Sequence, residues 1–166
     1  MAAGPSRVPL LVRSAALGAG AGLVGVAAMT AGEKLEQALT GRPSSYVPAR
    51  ALRGLLGLPA SDSEQPVVWN HAMHWGTGAV VGALRGVWAV TGLRGAVMNG
   101  WFTVARLSVD QTIENATGAG APPMTWPASE LVADAVHKAV YATVTGAVAD
   151  RLIAPVLQSR RGVTSH

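Results

Sequence analysis

The chain has 166 residues, 49% of them hydrophobic and 13% charged, with a net charge of +4 and no cysteine. The length is that of one domain able to bury a core, but the charged fraction is about half the roughly 25% usual in soluble domains, which points to a bilayer. Lack of cysteine excludes disulfides and thiolate metal sites. The small charge, with Lys and Arg near segment ends, suits lipid headgroups better than a nucleic-acid groove, so no nucleic-acid partner is expected.

Residues 1–13 form a basic N-terminal segment with Arg7 and Arg13, leading into residues 14–32, nineteen positions without an ionisable side chain. That is the length a bilayer crossing requires. A signal peptide shares the basic start and the small residues at Ala27 and Ala31, but its apolar run is shorter. Gly18, Gly22 and Gly25 share one helical face, a small-residue stripe for close helix contact. Glu33 and Glu36 then meet water, with Glu33 able to turn inward. Residues 37–66 form the first loop, richer in Pro, Ser and charge. Within it, residues 47–58 set Arg50 and Arg53 against Leu52, Leu55, Leu56 and Leu58, which predicts a short amphipathic helix at the interface.

Residues 67–84 are the second run without Asp, Glu, Lys or Arg, continued past Arg85 to Leu93. Asn70, His74, Gly78, Gly82 and Gly86 recur every four residues, so a glycine contact stripe leads into a histidine. Trp69, Trp75 and Trp88 lie near the ends of the run, as an aromatic belt would. The connection at residues 91–95 is tight and predicts an antiparallel hairpin of spans two and three.

In the third segment Asn99, Thr103, Arg106, Asp110 and Glu114 fall on one helical face; in the fourth Glu130, Asp134, His137 or Lys138, Tyr141 and Thr145 do the same. Arg or Asp at the bilayer centre costs roughly 2.5 to 3.5 kcal/mol, while Val or Leu returns only about 0.3 to 0.6. Segment three therefore needs the Arg106–Asp110 pair, charges placed toward one end, or partners from segment four. The cheapest partner of each polar seam is the other seam. Pro122 and Pro123 stop the third helix, and Pro127 starts the fourth, where Glu130 meets the positive end of the helix dipole.

The order of features resembles the YagU-like family of small bacterial inner-membrane proteins, on Gly22, His74, Gly82, Pro122, Pro123, Trp126, Glu130 and His137 across residues 14–153. In the third span Arg106 and Asp110 depart from it. The resemblance implies a multi-pass protein of the bacterial cytoplasmic membrane linked to acid tolerance, without established chemistry.

The expected fold is all-α: a four-span transmembrane helical bundle over residues 14–153 with a short interfacial helix in the first loop, followed by a polar tail at 154–166. Its packing glycines are Gly18, Gly22, Gly78, Gly82 and Gly86, which also offer a surface for a homo-oligomer. The expected buried polar cluster is His74, Arg106, Asp110, Glu130, Asp134 and His137, serving as a specificity device or a proton-responsive element. One alternative is a metal- or haem-binding helical bundle using His71, His74, Asp134 and His137, with Glu130 nearby; another is a soluble helical bundle. No cofactor is expected, and with no nucleophile elbow, phosphate loop or zinc-protease helix the chain does not read as an enzyme. Seven arginines (Arg7, Arg13, Arg85, Arg94, Arg151, Arg160 and Arg161) fall on one side of the spans and four cations (Lys34, Arg42, Arg50 and Arg53) on the other. Both termini are then expected in the cytoplasm.

Overall fold

The computed structural model describes residues 6–61 and 63–159. Five α-helices follow in order, α1 (Arg7–Thr40), α2 (Val47–Leu55), α3 (Val67–Val90), α4 (Gly95–Ala116) and α5 (Ala128–Leu152), with one 3-10 turn at Pro123–Thr125. No strand occurs among the described residues. Arg160 and Arg161, counted in the charge bias, lie outside them.

Helix α1 is longer than its apolar run. Its 34 residues span about 51 Å at 1.5 Å per residue, well beyond the roughly 30 Å of a hydrocarbon core. It already starts at Arg7 and carries Glu33 and Glu36 in its last turns. It ends at Gly41, whose φ of 73° suits a residue without Cβ and whose N–H reaches Gln37 O at 2.9 Å. Among the described residues α1 is the one helix long and apolar enough to cross a membrane. Helices α3, α4 and α5, with 24, 22 and 25 residues, have the length. Their composition falls short because each carries a polar seam: Asn70, His71 and His74; Asn99, Arg106, Asp110 and Glu114; Glu130, Asp134, His137 and Lys138.

The bundle is assembled on α1, which packs against α3 and α5, while α4 packs against α5. The α1–α3 crossing is backbone against backbone. A methyl group at Gly82 would stand 2.6 Å from the Cα of Gly22, and one at Gly18 would stand 2.6 Å from the Cα of Gly86. Val26 closes the stripe against Gly78. The glycines proposed as an oligomer surface therefore meet each other inside one chain. Gly25 faces Thr145 and Tyr141 on α5 in the same manner.

Residues 91–94 turn the chain back, yet α3 and α4 make few close backbone approaches. Large side chains join them instead: the Trp88 and Phe102 rings meet edge to face at 5.8 Å, and Arg85 Nη2 donates to Asn99 Oδ1 at 3.1 Å. Toward the other end α2 packs on α3 and also reaches α4. Its Ala49 and Ala51 are buried, whereas Leu55 and Leu56 face outward. The amphipathic helix expected flat on the interface is thus a wedge, held at its start by the Ala49 N–H on Asn70 Oδ1 at 3.2 Å. After α5 the chain folds back, so that Leu157 N–H reaches Val90 O at 2.9 Å and Gln158 rests against Gly92. The tail is anchored at Leu157, while residues 154–156, 158 and 159 stay exposed.

Two apolar clusters fill the interior. Val26, Met29, Val81, Phe102, Tyr141 and Ala142 form one; Ala21, Ala89, Val90, Ala149 and Ile153 form the other. Outside, the bundle is also apolar: Val80 is 73% exposed, Val97 71% and Trp101 61%, while Arg85 is 0% and Arg106 2% exposed.

Candidate functional site

The end of the bundle where α1 stops and α5 starts holds a vestibule of about 430 Å³. The loop after α1, the start of α2, the start of α3, the end of α4 and the turn before α5 all reach it. Four carboxylates (Glu33, Glu114, Glu130 and Asp134), three cations (Lys34, Arg42 and Lys138) and three histidines (His71, His74 and His137) line it. The turn before α5 is fixed by Trp126 Nε1 donating to Ala121 O at 2.8 Å. Arg42 ties the rim together, with Nη2 2.8 Å from Glu36 Oε2 and Nη1 3.4 Å from Glu130 Oε2. Hydrogen bonding from Arg42 holds the Glu36 carboxyl below its ordinary 4.5, helped by Thr40.

Below the vestibule lies a void of about 30 Å³, walled by Pro48 and Ala51 of α2, Met73, His74 and Thr77 of α3, Arg106, Asp110 and Glu114 of α4, and Lys138 of α5. Four of these, Pro48, His74, Glu114 and Lys138, also line the vestibule. A chain of ion pairs runs along its side. Arg106 Nε lies 3.1 Å from Asp110 Oδ2, Lys138 Nζ lies 3.2 Å from the same oxygen, and Lys138 Nζ lies 2.9 Å from Asp134 Oδ1. Arg106 also covers the face of Tyr141, its Cζ 4.9 Å from the ring centre, in a cation–π contact. The buried Arg106 Nη1 has no hydrogen-bond partner among the described residues. Beneath it Tyr141 stacks on Phe102 at 5.8 Å, and its hydroxyl donates to Gly78 O at 2.6 Å. With Trp88 these rings close the bundle on the side away from the vestibule.

A second charged joint lies past that aromatic layer. Arg85 Nη2 stands 2.9 Å from Asp150 Oδ1, and Asp150 Oδ2 accepts the Gly95 N–H at 2.9 Å at the start of α4. Arg94 donates to the carbonyls of Asp150 and Ile153. Arg85, expected near headgroups, is instead a fully buried bolt between α3, α4 and α5.

The structure brings together part of the expected cluster. Arg106, Asp110 and Asp134 belong to one ion chain, but Asp134 reaches Arg106 through Lys138 and Asp110 and not directly. His74 lines the same void and lies 3.3 Å from Thr30 Oγ1 on α1. Glu130 belongs to the rim with Arg42, and His137 to the vestibule wall. His71, His74, Asp134 and His137 share the vestibule, yet among the described residues no three His, Asp or Glu side chains converge as a metal would require. Sequence reasoning missed two joints. Lys138 stood as an alternative to His137, although its i, i+4 spacing from Asp134 marked it. The Arg85–Asp150 pair is separated by 65 positions, and only the shared end of the two helices could have suggested it. Comparison with family models, curated proteins and solved structures finds no match for this chain.

Proposed function

We propose that the chain is a four-span protein of the bacterial cytoplasmic membrane, in which α1, α3, α4 and α5 cross the bilayer and the buried ion chain responds to protons. The observation that carries this reading is the inside-out distribution of polarity. Val80, Val97 and Trp101 face outward while Arg85 and Arg106 are withdrawn from solvent. In water that arrangement loses twice; in lipid both halves of it are favourable. The ion pairs explain how α4 tolerates Arg106 at its twelfth residue of 22. Neutralisation by Asp110 and the cation–π contact with Tyr141 replace a lone charge costing roughly 2.5 to 3.5 kcal/mol at mid-membrane.

The likeness to acid-tolerance membrane proteins noted above gives the response its direction: acid on the vestibule side. Both termini then lie in the cytoplasm and the vestibule faces outward, with no catalysis assigned. The test is carbonate washing of membranes carrying the full chain, together with reporter fusions at the C-terminus. Retention in the pellet with a cytoplasmic C-terminus is expected. Release into the supernatant would favour the soluble bundle, which has on its side that among the described residues α1 alone is apolar enough to cross unaided.

A further inference from the structure

We propose that the vestibule and the void beneath it form one water-filled half-channel, open at the end where α1 stops and closed at Tyr141, which delivers a proton to Glu114. This rests on the membrane reading and specifies the site of its proton response.

Three features carry it. The two spaces share a wall at Pro48, His74, Glu114 and Lys138, so the smaller lies directly behind the larger. A space of about 30 Å³ exceeds the roughly 10 to 15 Å³ one water needs, and such a water needs two to four polar partners. Arg106 Nη1, buried and unpartnered, is one; Asp110, Thr77 and His74 are others on the same wall. A buried guanidinium nitrogen left unbonded is costly, and a water between it and Asp110 removes the cost.

Charge decides what the channel carries. Two cations, Arg106 and Lys138, face three carboxylates, Asp110, Glu114 and Asp134. One proton brings the set to neutrality, the cheapest state away from water. Asp110 is held by both Arg106 and Lys138 and Asp134 by Lys138, so the proton's place is Glu114, the carboxylate of the set outside that ion chain and one helical turn from Asp110. The charged groups that face Glu114 from the vestibule, Glu33 and Glu130 against Lys34 and Arg42, cancel, and His71 and His137 stand on the same wall. From α3 His74 reaches toward Thr30 of α1, and α2 contributes only Pro48 and Ala51 to the wall. The proton passes from vestibule water to a carboxylate oxygen, and no other bond changes. From Ala116 to Arg106 is ten residues, about 15 Å of helix, so the closed end lies about half-way across a bilayer.

Lack of cysteine in the chain makes the test clean. Thr77→Cys in the void, Met73→Cys as a second void position and Thr145→Cys beyond Tyr141 are made in the full chain, reconstituted in vesicles and exposed to silver ions from either face. Block of the void cysteines from the vestibule face about tenfold or more faster than Thr145→Cys is expected, because thiolates form where water reaches. Void cysteines no faster than Thr145→Cys, or equally fast from both faces, overturn the half-channel. Infrared spectra across pH supply the proton's address: a carboxylic acid signal sensitive to deuterium is expected in wild type and lost in Glu114→Gln. A signal absent from wild type, or unchanged in Glu114→Gln, overturns the assignment. Carbonate release of the same variants overturns the membrane reading and the half-channel together, whereas retention with slow void cysteines overturns the half-channel alone.

Discussion

Lys138 of α5 stands 3.2 Å from Asp110 of α4, and this contact is the joint at which the polar seams of the two helices meet. Lys138 is shared between two carboxylates, so the strength of the joint is uneven. The Asp110 side chain is 10% exposed and pairs with Arg106 as well; Asp134 is 27% exposed and pairs with Lys138 alone.

The first prediction is therefore a ranking. Asp110→Leu strands Arg106 and leaves Lys138 with Asp134 alone, and should cost about 3 to 5 kcal/mol, the usual penalty for breaking a buried pair. Asp134→Leu leaves Lys138 with Asp110 and should cost clearly less. The double change Asp110→Leu with Arg106→Met keeps the Lys138–Asp134 pair and should recover much of the loss. Thermal unfolding in detergent measures all three, and equal losses for the two aspartates would contradict the shared-lysine geometry.

A second prediction concerns the α1–α3 crossing. Gly→Ala inside a helix gains up to about 1 kcal/mol from propensity, while overpacking costs about 1 to 3 kcal/mol. At Gly82 overpacking wins because the neighbouring atoms are backbone, and Gly82→Ala should lower the midpoint. At Gly76 and Gly100 a Cβ meets nothing within 4 Å. Those substitutions should be neutral or stabilising, and the same melting series decides. A loss at Gly100 equal to that at Gly82 would mean the crossing is not the limiting contact.

These two joints differ in how much of them could be read from the chain. The glycine stripe was legible because the four-residue period on α3 and the pair Gly18 and Gly22 on α1 are local patterns, and a helix turns such patterns into faces. The polar seams were legible for the same reason. What pairs across them was not, because i, i+4 spacing gives Arg106 its partner Asp110 but leaves open which α5 side chain meets Asp110, and only the rotation of α5 selects Lys138. The place of α2 was hidden by its own amphipathicity. A helix with Leu on one face and Arg on the other reads equally as an interfacial helix or as a wedge whose small residues, Ala49 and Ala51, are the buried ones. The bolt at Arg85 escaped because a charge near the end of an apolar run ordinarily reaches for headgroups.

A third prediction follows from the rim. Arg42 holds Glu36 below its ordinary 4.5, so the folded form binds that proton less readily than the unfolded chain. The tie contributes above the ordinary carboxylate value and is lost as the pH falls through the lowered one. Residues 41–46 should then loosen in acid. Hydrogen exchange of that loop, corrected for the intrinsic rate, should accelerate with acid in wild type, and Arg42→Ala should be fast at every pH. A wild-type loop whose protection is independent of pH would leave the rim without an acid-sensitive tie.

The last prediction tests the bolt on the opposite side of the aromatic layer. Arg85 is fully buried with Asp150 at 2.9 Å, while Arg53 and Glu64 form a pair whose acid is half exposed. Both look alike as arginine–carboxylate pairs; their surroundings set different values. Asp150→Asn keeps the shape but removes the counter-charge of Arg85, and also weakens the cap on Gly95 N–H at the start of α4. It should cost about 3 to 5 kcal/mol, against about 0 to 1 for Glu64→Gln. Arg85→Leu together with Asp150→Leu should restore much of the loss, because the bundle's neighbouring core is Val90, Ala149 and Ile153 and welcomes apolar volume. Added salt separates the two pairs further: it should weaken the Arg53–Glu64 contribution and leave the Arg85–Asp150 contribution nearly unchanged, since ions do not reach a buried pair. Melting of the four variants at low and high salt measures this. An Asp150→Asn loss that fades with salt would place Arg85 in contact with water, and the α3–α4–α5 end of the bundle would then be open rather than bolted.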